Sequence, residues 1–139
     1  MVIDHIGIVV RSLEQGIKQW ETLFGYSMNS SIVTNSRQEV RVVFLSKKDS
    51  LTVKLLEPSS PDSPVSAFAQ KGGGLHHICF RCENLDHEVQ HLKGQGVRVL
   101  VPPQPGEAFC NHDIAFLFAN NLNLELIDTT EKEGWIEQA

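Results

Sequence analysis

Apolar residues along the chain fall into short β-type runs, interrupted by two stretches of helical spacing. Val2 to Val10 is β-branched and apolar, which predicts a strand. Ser12 then opens a segment whose apolar positions Leu13, Ile17, Trp20 and Phe24 recur at helical spacing, and Gly25 closes it. Residues 28–34 predict a weak strand. Residues 39–46 and 51–57 predict stronger ones, joined by the polar turn Lys47-Lys48-Asp49-Ser50. The order is strand, helix, strand, strand, strand. It then returns. A strand starts near Leu75, and Asn84 caps a helix that buries Leu85, Val89 and Leu92 and ends at Gly94 and Gly96. Further strands are expected over 97–101, 114–118 and 122–128. Residues 58–74 are rich in Pro, Ser and Gly around a short helical piece at 65–70, and read as a linker. Residues 129–139 are polar apart from Trp135 and Ile136, and read as a loosely docked tail. The expected divisions are therefore 1–57, 58–74, 75–128 and 129–139.

The two halves also match residue by residue. His5-Ile6-Gly7-Ile8-Val9-Val10 runs parallel to His77-Ile78-Cys79-Phe80-Arg81-Cys82, and Ser12-Leu13-Glu14 to Asn84-Leu85-Asp86. Val43-Phe44-Leu45 meets Ala115-Phe116-Leu117, and Leu51 to Glu57 falls on Leu122 to Asp128. A match this long describes two copies of one supersecondary unit and identifies equivalent positions in them. His5 pairs with His77, and Lys54 pairs with Glu125.

Alternate residues of a strand point to opposite faces. Lys54 therefore shares a face with Thr52 and Leu56, while Glu57 points the other way, and the repeat says the same of Glu125. A polar group in the middle of an apolar strand requires a partner or a wet cavity. If the copies lie side by side, His5, His77 and Glu125 converge. Two imidazoles and a carboxylate suit a divalent metal such as Zn, Co, Ni, Mn or Fe.

Composition narrows the choice of partner. At 139 residues the chain suits one domain or two small units sharing a core. A net charge of −5 argues against nucleic acid, and no apolar run reaches membrane-spanning length. Three cysteines form no disulfide framework. With a strand pattern already running at Val2, a cytoplasmic address is expected.

The chain resembles the vicinal oxygen chelate superfamily, with likeness to methylmalonyl-CoA epimerases and glyoxalase I. The residues that carry the likeness are Asp4-His5-Ile6, Leu55-Leu56-Glu57-Pro58, Asp62-Ser63-Pro64-Val65 with Phe68 and Gln70-Lys71, and Gly73-Gly74-Leu75-His76-His77-Ile78-Cys79. The resemblance implies an α+β fold in which two βαβββ modules form an open eight-stranded β cup with helices outside. It implies metal ligands at His5, His77 and Glu125, with Lys54 standing where the family has a fourth ligand. It implies a homodimer and a small carbonyl or acyl-CoA thioester substrate, enolised by metal-assisted proton transfer. The activity expected is that of an isomerase (epimerase) or a lyase of the lactoylglutathione type, with Glu125 and Lys54 in catalysis and Lys54 and His112 touching substrate.

Lys54 is the departure. A protonated lysine has donors and no lone pair, so it cannot ligate a cation. Three outcomes stay open: a three-ligand site, a lysine acting as a base, or a metal-free cup closed by a Lys54–Glu125 ion pair. The last would suit a drug- or antibiotic-binding protein of the same fold, and the three-ligand site an iron-dependent ring-cleaving dioxygenase. The family epimerases also use an acid in a Glu-x-Gly-Val stretch. That register here is Arg37-Gln38-Glu39-Val40, which puts Arg37 at the acid's place and Glu39 two residues on.

Other motifs are weaker. His87-Glu88-Val89-Gln90-His91 has the spacing of a zinc-protease helix, but its histidines fall opposite the apolar face. Cys79 and Cys82 lie three apart in a strand and point to opposite faces. Cys110-Asn111-His112-Asp113 reads as a loop at the cup mouth. Lys47, Lys48, Lys71 and Arg98 are cations that could hold acyl-CoA phosphates.

Overall fold

The computed structural model describes residues 1–136. The first half contains β1 (Val2–Val9), α1 (Leu13–Phe24), β2 (Ser27–Met28), β3 (Val33–Asn35), β4 (Val40–Ser46) and β5 (Thr52–Pro58). A short helix α2 (Ser66–Gln70) follows, then β6 (Gly74–Arg81), α3 (Leu85–Gly94), β7 (Arg98–Pro105), a 3₁₀ turn at Glu107–Phe109, β8 (Asp113–Ala119) and β9 (Leu122–Ile127). Both long helices start as their sequences dictate. Ser12 accepts from the Gln15 amide and Asn84 from the His87 amide, and Gly25 ends α1 at φ 73°.

All the strands join one sheet, in the order β2-β4-β5-β1-β6-β9-β8-β7, with β3 paired to β4 beside that path. The eight-stranded path is thus the expected cup, and β3 is a ninth strand. The weak strand expected at 28–34 is broken into β2 and β3 by a bend whose Ser30 hydroxyl takes the Phe44 amide. β7 runs four residues beyond the expected end, through Pro102 and Pro103. It can do so because it is an edge strand, where a missing N–H breaks no ladder.

The centre of the sheet is the antiparallel pair β1–β6. Ile6 faces Ile78, with His5 opposite Cys79 and Gly7 opposite His77. Gly7 also lies beside Lys54, and Cys79 beside Glu125, through parallel pairings on either side. A pseudo-twofold through the Ile6–Ile78 pair therefore exchanges His5 with His77, Gly7 with Cys79, and Lys54 with Glu125.

The two faces of the sheet have different jobs. On the convex face, α1 covers Val43, Leu45, Val53 and Leu55, and α3 covers Ala115, Leu117 and Leu126. The concave face gathers Val9, Val40, Val42, Phe44, Leu56, Ile114 and Ile127, and is filled by Val65 at the start of α2 and Ala69 within it, and by Ala108 and Phe109 of the 3₁₀ turn. So α1 and α3 lie outside as expected, whereas α2 packs into the cup. The tail is firmly attached, contrary to the loose end expected: Glu133 donates to the Ala108 carbonyl, Ile136 to Asn29, and Trp135 bridges to Ser30. The tail's last three positions, 137–139, lie outside the described residues. Among the described residues, no helix is long and apolar enough to cross a membrane.

Gly7 allows the central pair to close. A Cβ there would lie 2.1 Å from the His77 ring. Gly7→Ala is expected to cost about 1–3 kcal/mol by overpacking, read as a lowered urea midpoint. Gly94→Ala, where a Cβ meets nothing within 4 Å, serves as the control.

Candidate metal centre

Alternation along four neighbouring strands aims His5, Lys54, His77 and Glu125 into the cup. All four are buried, with His5, His77 and Glu125 fully so. His5 Nε2 lies 3.1 Å and His77 Nε2 3.4 Å from Glu125 Oε1. Lys54 Nζ lies 3.5 Å from Glu125 Oε2. Aromatic rings wall the imidazoles: His5 stacks on Phe109 at 6.0 Å and meets the edge of Phe44 at 5.3 Å, and His77 abuts Phe116 at 5.9 Å. Lys54 Nζ also sits 5.0 Å from the Phe109 ring centroid.

Despite these short distances, His5 Nε2, His77 Nε2 and both Glu125 oxygens have no hydrogen-bond partner among the described residues. A desolvated carboxylate and two imidazole nitrogens left so are costly. Their ligand atoms all lie within 4.8 Å of one another. A tetrahedral shell with bonds of roughly 2.0–2.1 Å holds its ligands about 3.3 Å apart, which matches the 3.1 and 3.4 Å separations here. The donor set fits a divalent cation.

Charge at the centre is set by burial and Lys54. Burial pushes the Glu125 carboxyl up, but the Lys54 ammonium, followed by the two imidazoles, outweighs it and holds the group well below the usual carboxylate range. Burial lowers His77 to about 4. His77 is therefore neutral at pH 7, the form that offers a lone pair to a metal. Cys79 faces the same cup, and its thiol is pushed well up by burial and by the Glu125 and Asp4 charges.

A cavity of about 30 Å³ reaches this cluster between Asn35, Gln38, Val65, His76 and Phe116, touching Lys54, His77 and Glu125. That is room for about two waters. Arg37 is exposed and does not line it. Glu39 bonds Ser60 instead. Gln38 and Asn35 take the wall there, because Glu39 has a left-handed φ of 52° that breaks the strand alternation assumed in the sequence reading. His112 lies apart from the cluster, exposed and 3.3 Å from Glu131. Glu57 faces outward to Arg41 at 2.7 Å, and His87 and His91 are exposed on α3. Phe109 is a site residue that sequence reasoning missed. Nothing in its local pattern distinguishes a plug in the cup from an ordinary loop residue.

Comparison with known proteins finds relatives that match most of the chain. The profile of the glyoxalase/bleomycin resistance protein/dioxygenase superfamily matches residues 4–116. An uncharacterized protein of Bacillus subtilis, YqjC, is 35% identical over 95% of this chain and 93% of its own length. An ethylmalonyl-CoA/methylmalonyl-CoA epimerase of Cereibacter sphaeroides is 27% identical over 91% of this chain and 94% of its own. The structure of a single-substitution variant of Streptomyces coelicolor methylmalonyl-CoA epimerase in complex with 2-nitronate-propionyl-CoA superposes with a TM-score of 0.83 at 29% identity, covering 96% of this chain and 97% of that one.

Two outcomes follow from the charges. A unit charge about 5 Å from another costs on the order of 3 kcal/mol at an effective dielectric near 20. Lys54→Gln is therefore expected to tighten Zn or Co binding by about two orders of magnitude or more in calorimetric titration, while lowering the melting temperature without metal. Acid gives the second outcome. The folded His77 value of about 4 lies below the ordinary 6.5, so the unfolded chain takes up the proton first as pH falls. The stability contributed is complete above pH 6.5 and erodes as pH drops towards 4. Urea midpoints across that window should fall for the metal-free protein and fall less for His77→Gln.

Proposed function

The chain belongs to the glyoxalase/bleomycin resistance protein/dioxygenase superfamily, and from that membership we propose a metal-dependent enzyme that moves a proton at the carbon beside a carbonyl. The substrate is a small carbonyl compound or an acyl-CoA thioester, the class on which the epimerase relatives act. The observation that carries this reading is the convergence of four buried polar atoms with no hydrogen-bond partner: His5 Nε2, His77 Nε2 and the two Glu125 oxygens. His5, His77 and Glu125 would hold the cation, drawn from Zn, Co, Ni, Mn or Fe. When bound, such a cation polarises a carbonyl and stabilises negative charge developing on its oxygen.

The protein's own groups divide the remaining work. Glu125 Oε1 faces both imidazoles, and Oε2 is left beside Lys54 as the atom that accepts and returns the proton. Lys54 borders the cavity. Its ammonium donates to a substrate carboxylate, phosphate or enolate oxygen and anchors it beside Glu125. The aromatic walls and the small cavity keep water from competing for these donors. Across the cavity stand Gln38 and Asn35, whose amides accept no proton at neutral pH. Proton transfer is thus one-sided. Exchange with retention is expected, because neither amide can serve as the second acid that epimerisation needs.

A second reading is favoured by the Lys54–Glu125 contact of 3.5 Å: a metal-free protein of the same fold that binds a small anion. Elemental analysis of untagged protein purified without chelators separates the two, together with deuterium uptake by methylmalonyl-CoA in D₂O. The enzyme reading expects a retained divalent metal and metal-dependent uptake at the α-carbon with little inversion. Uptake should fall by about 100-fold or more in Glu125→Gln. Absence of metal, with no thermal stabilisation by Zn, Co, Ni or Mn, would overturn it.

A further inference from the structure

Both imidazoles of the centre are preceded by a residue that breaks strand register. On β1 the pairing with β6 skips Asp4, between Ile3 and His5. On β6 it skips His76, between Leu75 and His77. These irregularities lie at positions related by the pseudo-twofold. In regular strand, neighbouring side chains point to opposite faces and cannot meet. A bulge re-aims the extra residue, and both extra residues here reach the ring that follows them. His5 Nδ1 is 2.7 Å from Asp4 Oδ2, and His77 Nδ1 is 2.9 Å from His76 Nδ1.

We propose that Asp4 and His76 are positioning residues that fix the tautomer and orientation of His5 and His77, so that each ring turns a bare Nε2 towards the cation. At His5, the Asp4 carboxylate accepts the Nδ1 proton, which leaves the lone pair on Nε2. At His77, Nδ1–H donates to His76 Nδ1, with the same result. Groups bonded to the far nitrogen of a ligating imidazole set both its ring plane and its basicity.

Asp4 is itself held from a distance. Its carboxylate meets Arg81 Nη1 at 3.0 Å and, from the tail, Lys132 Nζ at 3.2 Å. Burial pushes the Asp4 carboxyl up, yet the His5 bond and the Lys132 charge keep it below its ordinary value. Lys132 is held in turn over the rings of Phe44 and Trp135, each at 5.4 Å. The tail that closes the first half thereby supports a ligand at the centre of the sheet.

This inference rests on the reading of His5, His77 and Glu125 as cation ligands, and its test separates the two. Zn affinity by competition titration and the visible spectrum of the Co-loaded protein are measured for wild type, Asp4→Leu, Asp4→Asn, His76→Phe and His76→Asn. Both Asp4 variants lose the charge facing Lys132 and Arg81, but only Asn keeps an acceptor for His5. Leu and Phe are expected to weaken Zn binding by about 10- to 100-fold and to shift the Co bands. The Asn variants are expected to restore both to near wild type. Folded Leu and Phe variants with wild-type affinity and spectrum, or Asn variants no better than Leu and Phe, would overturn the assignment. Should Asp4→Leu fail to fold, the His76 pair decides alone. Failure of wild type itself to bind Zn or Co would instead sink the cation-site reading beneath it.

Discussion

The pairing of Ile6 with Ile78 is the constraint from which the rest of the site follows. It sets two equivalent strands antiparallel at the middle of one sheet, so residues one position away on each strand become neighbours across a pseudo-twofold. His5 and His77 meet for this reason, although 72 positions separate them in the chain. Slippage by one residue would send every side chain to the other face, and the imidazoles would exchange the aromatic cup for the helices outside. Gly7 and Cys79 are part of the same constraint. They occupy the places opposite the two imidazoles, and only small residues leave space for a ring there.

The cup is an expensive place for charge, and the way that cost is met determines what the site can do. Glu125 is desolvated, and its oxygens lack hydrogen-bond partners. Lys54 offsets this charge through space without hydrogen-bonding geometry, which preserves the carboxylate for another ligand. A better ion pair would stabilise the fold and close the site. A missing one would leave Glu125 to take up a proton. The observed 3.5 Å contact lies between these limits, so fold stability and the affinity of the proposed cation site would oppose each other through one side chain.

Much of this was readable from the chain because strand parity and repeat alignment are exact geometric rules. They place His5, Lys54, His77 and Glu125 on one surface, and they turn Glu57 and the α3 histidines away. What they could not reveal depends on breaks in regularity. The bulges at Asp4 and His76 carry no local signature, since each lies inside an unremarkable apolar run. Gln38 replaces Glu39 in the cavity wall because of a single left-handed backbone angle. Pro102 and Pro103, just past the expected end of β7, are tolerated because that strand lies at an edge, which is a tertiary fact. Phe109 and Lys132 enter the site from a loop and a tail, where no periodicity predicts direction.

Duplication explains both the symmetry of the scaffold and the asymmetry of its chemistry. Equivalent positions inherit equivalent directions, so any polar residue at position 54 must point at the one at position 125. Two carboxylates there would repel unless a cation lay between them, and two lysines could not coexist without an anion. A lysine facing a glutamate is the arrangement that tolerates an empty centre. The fold can therefore assemble with both imidazoles and the carboxylate already in place, each ring contacted by its bulged neighbour. The same substitution removes one ligand and leaves a donor beside the remaining carboxylate. On the proposed reading, a substrate oxygen is then held by the protein itself, through the residue that closes the half-charged cup.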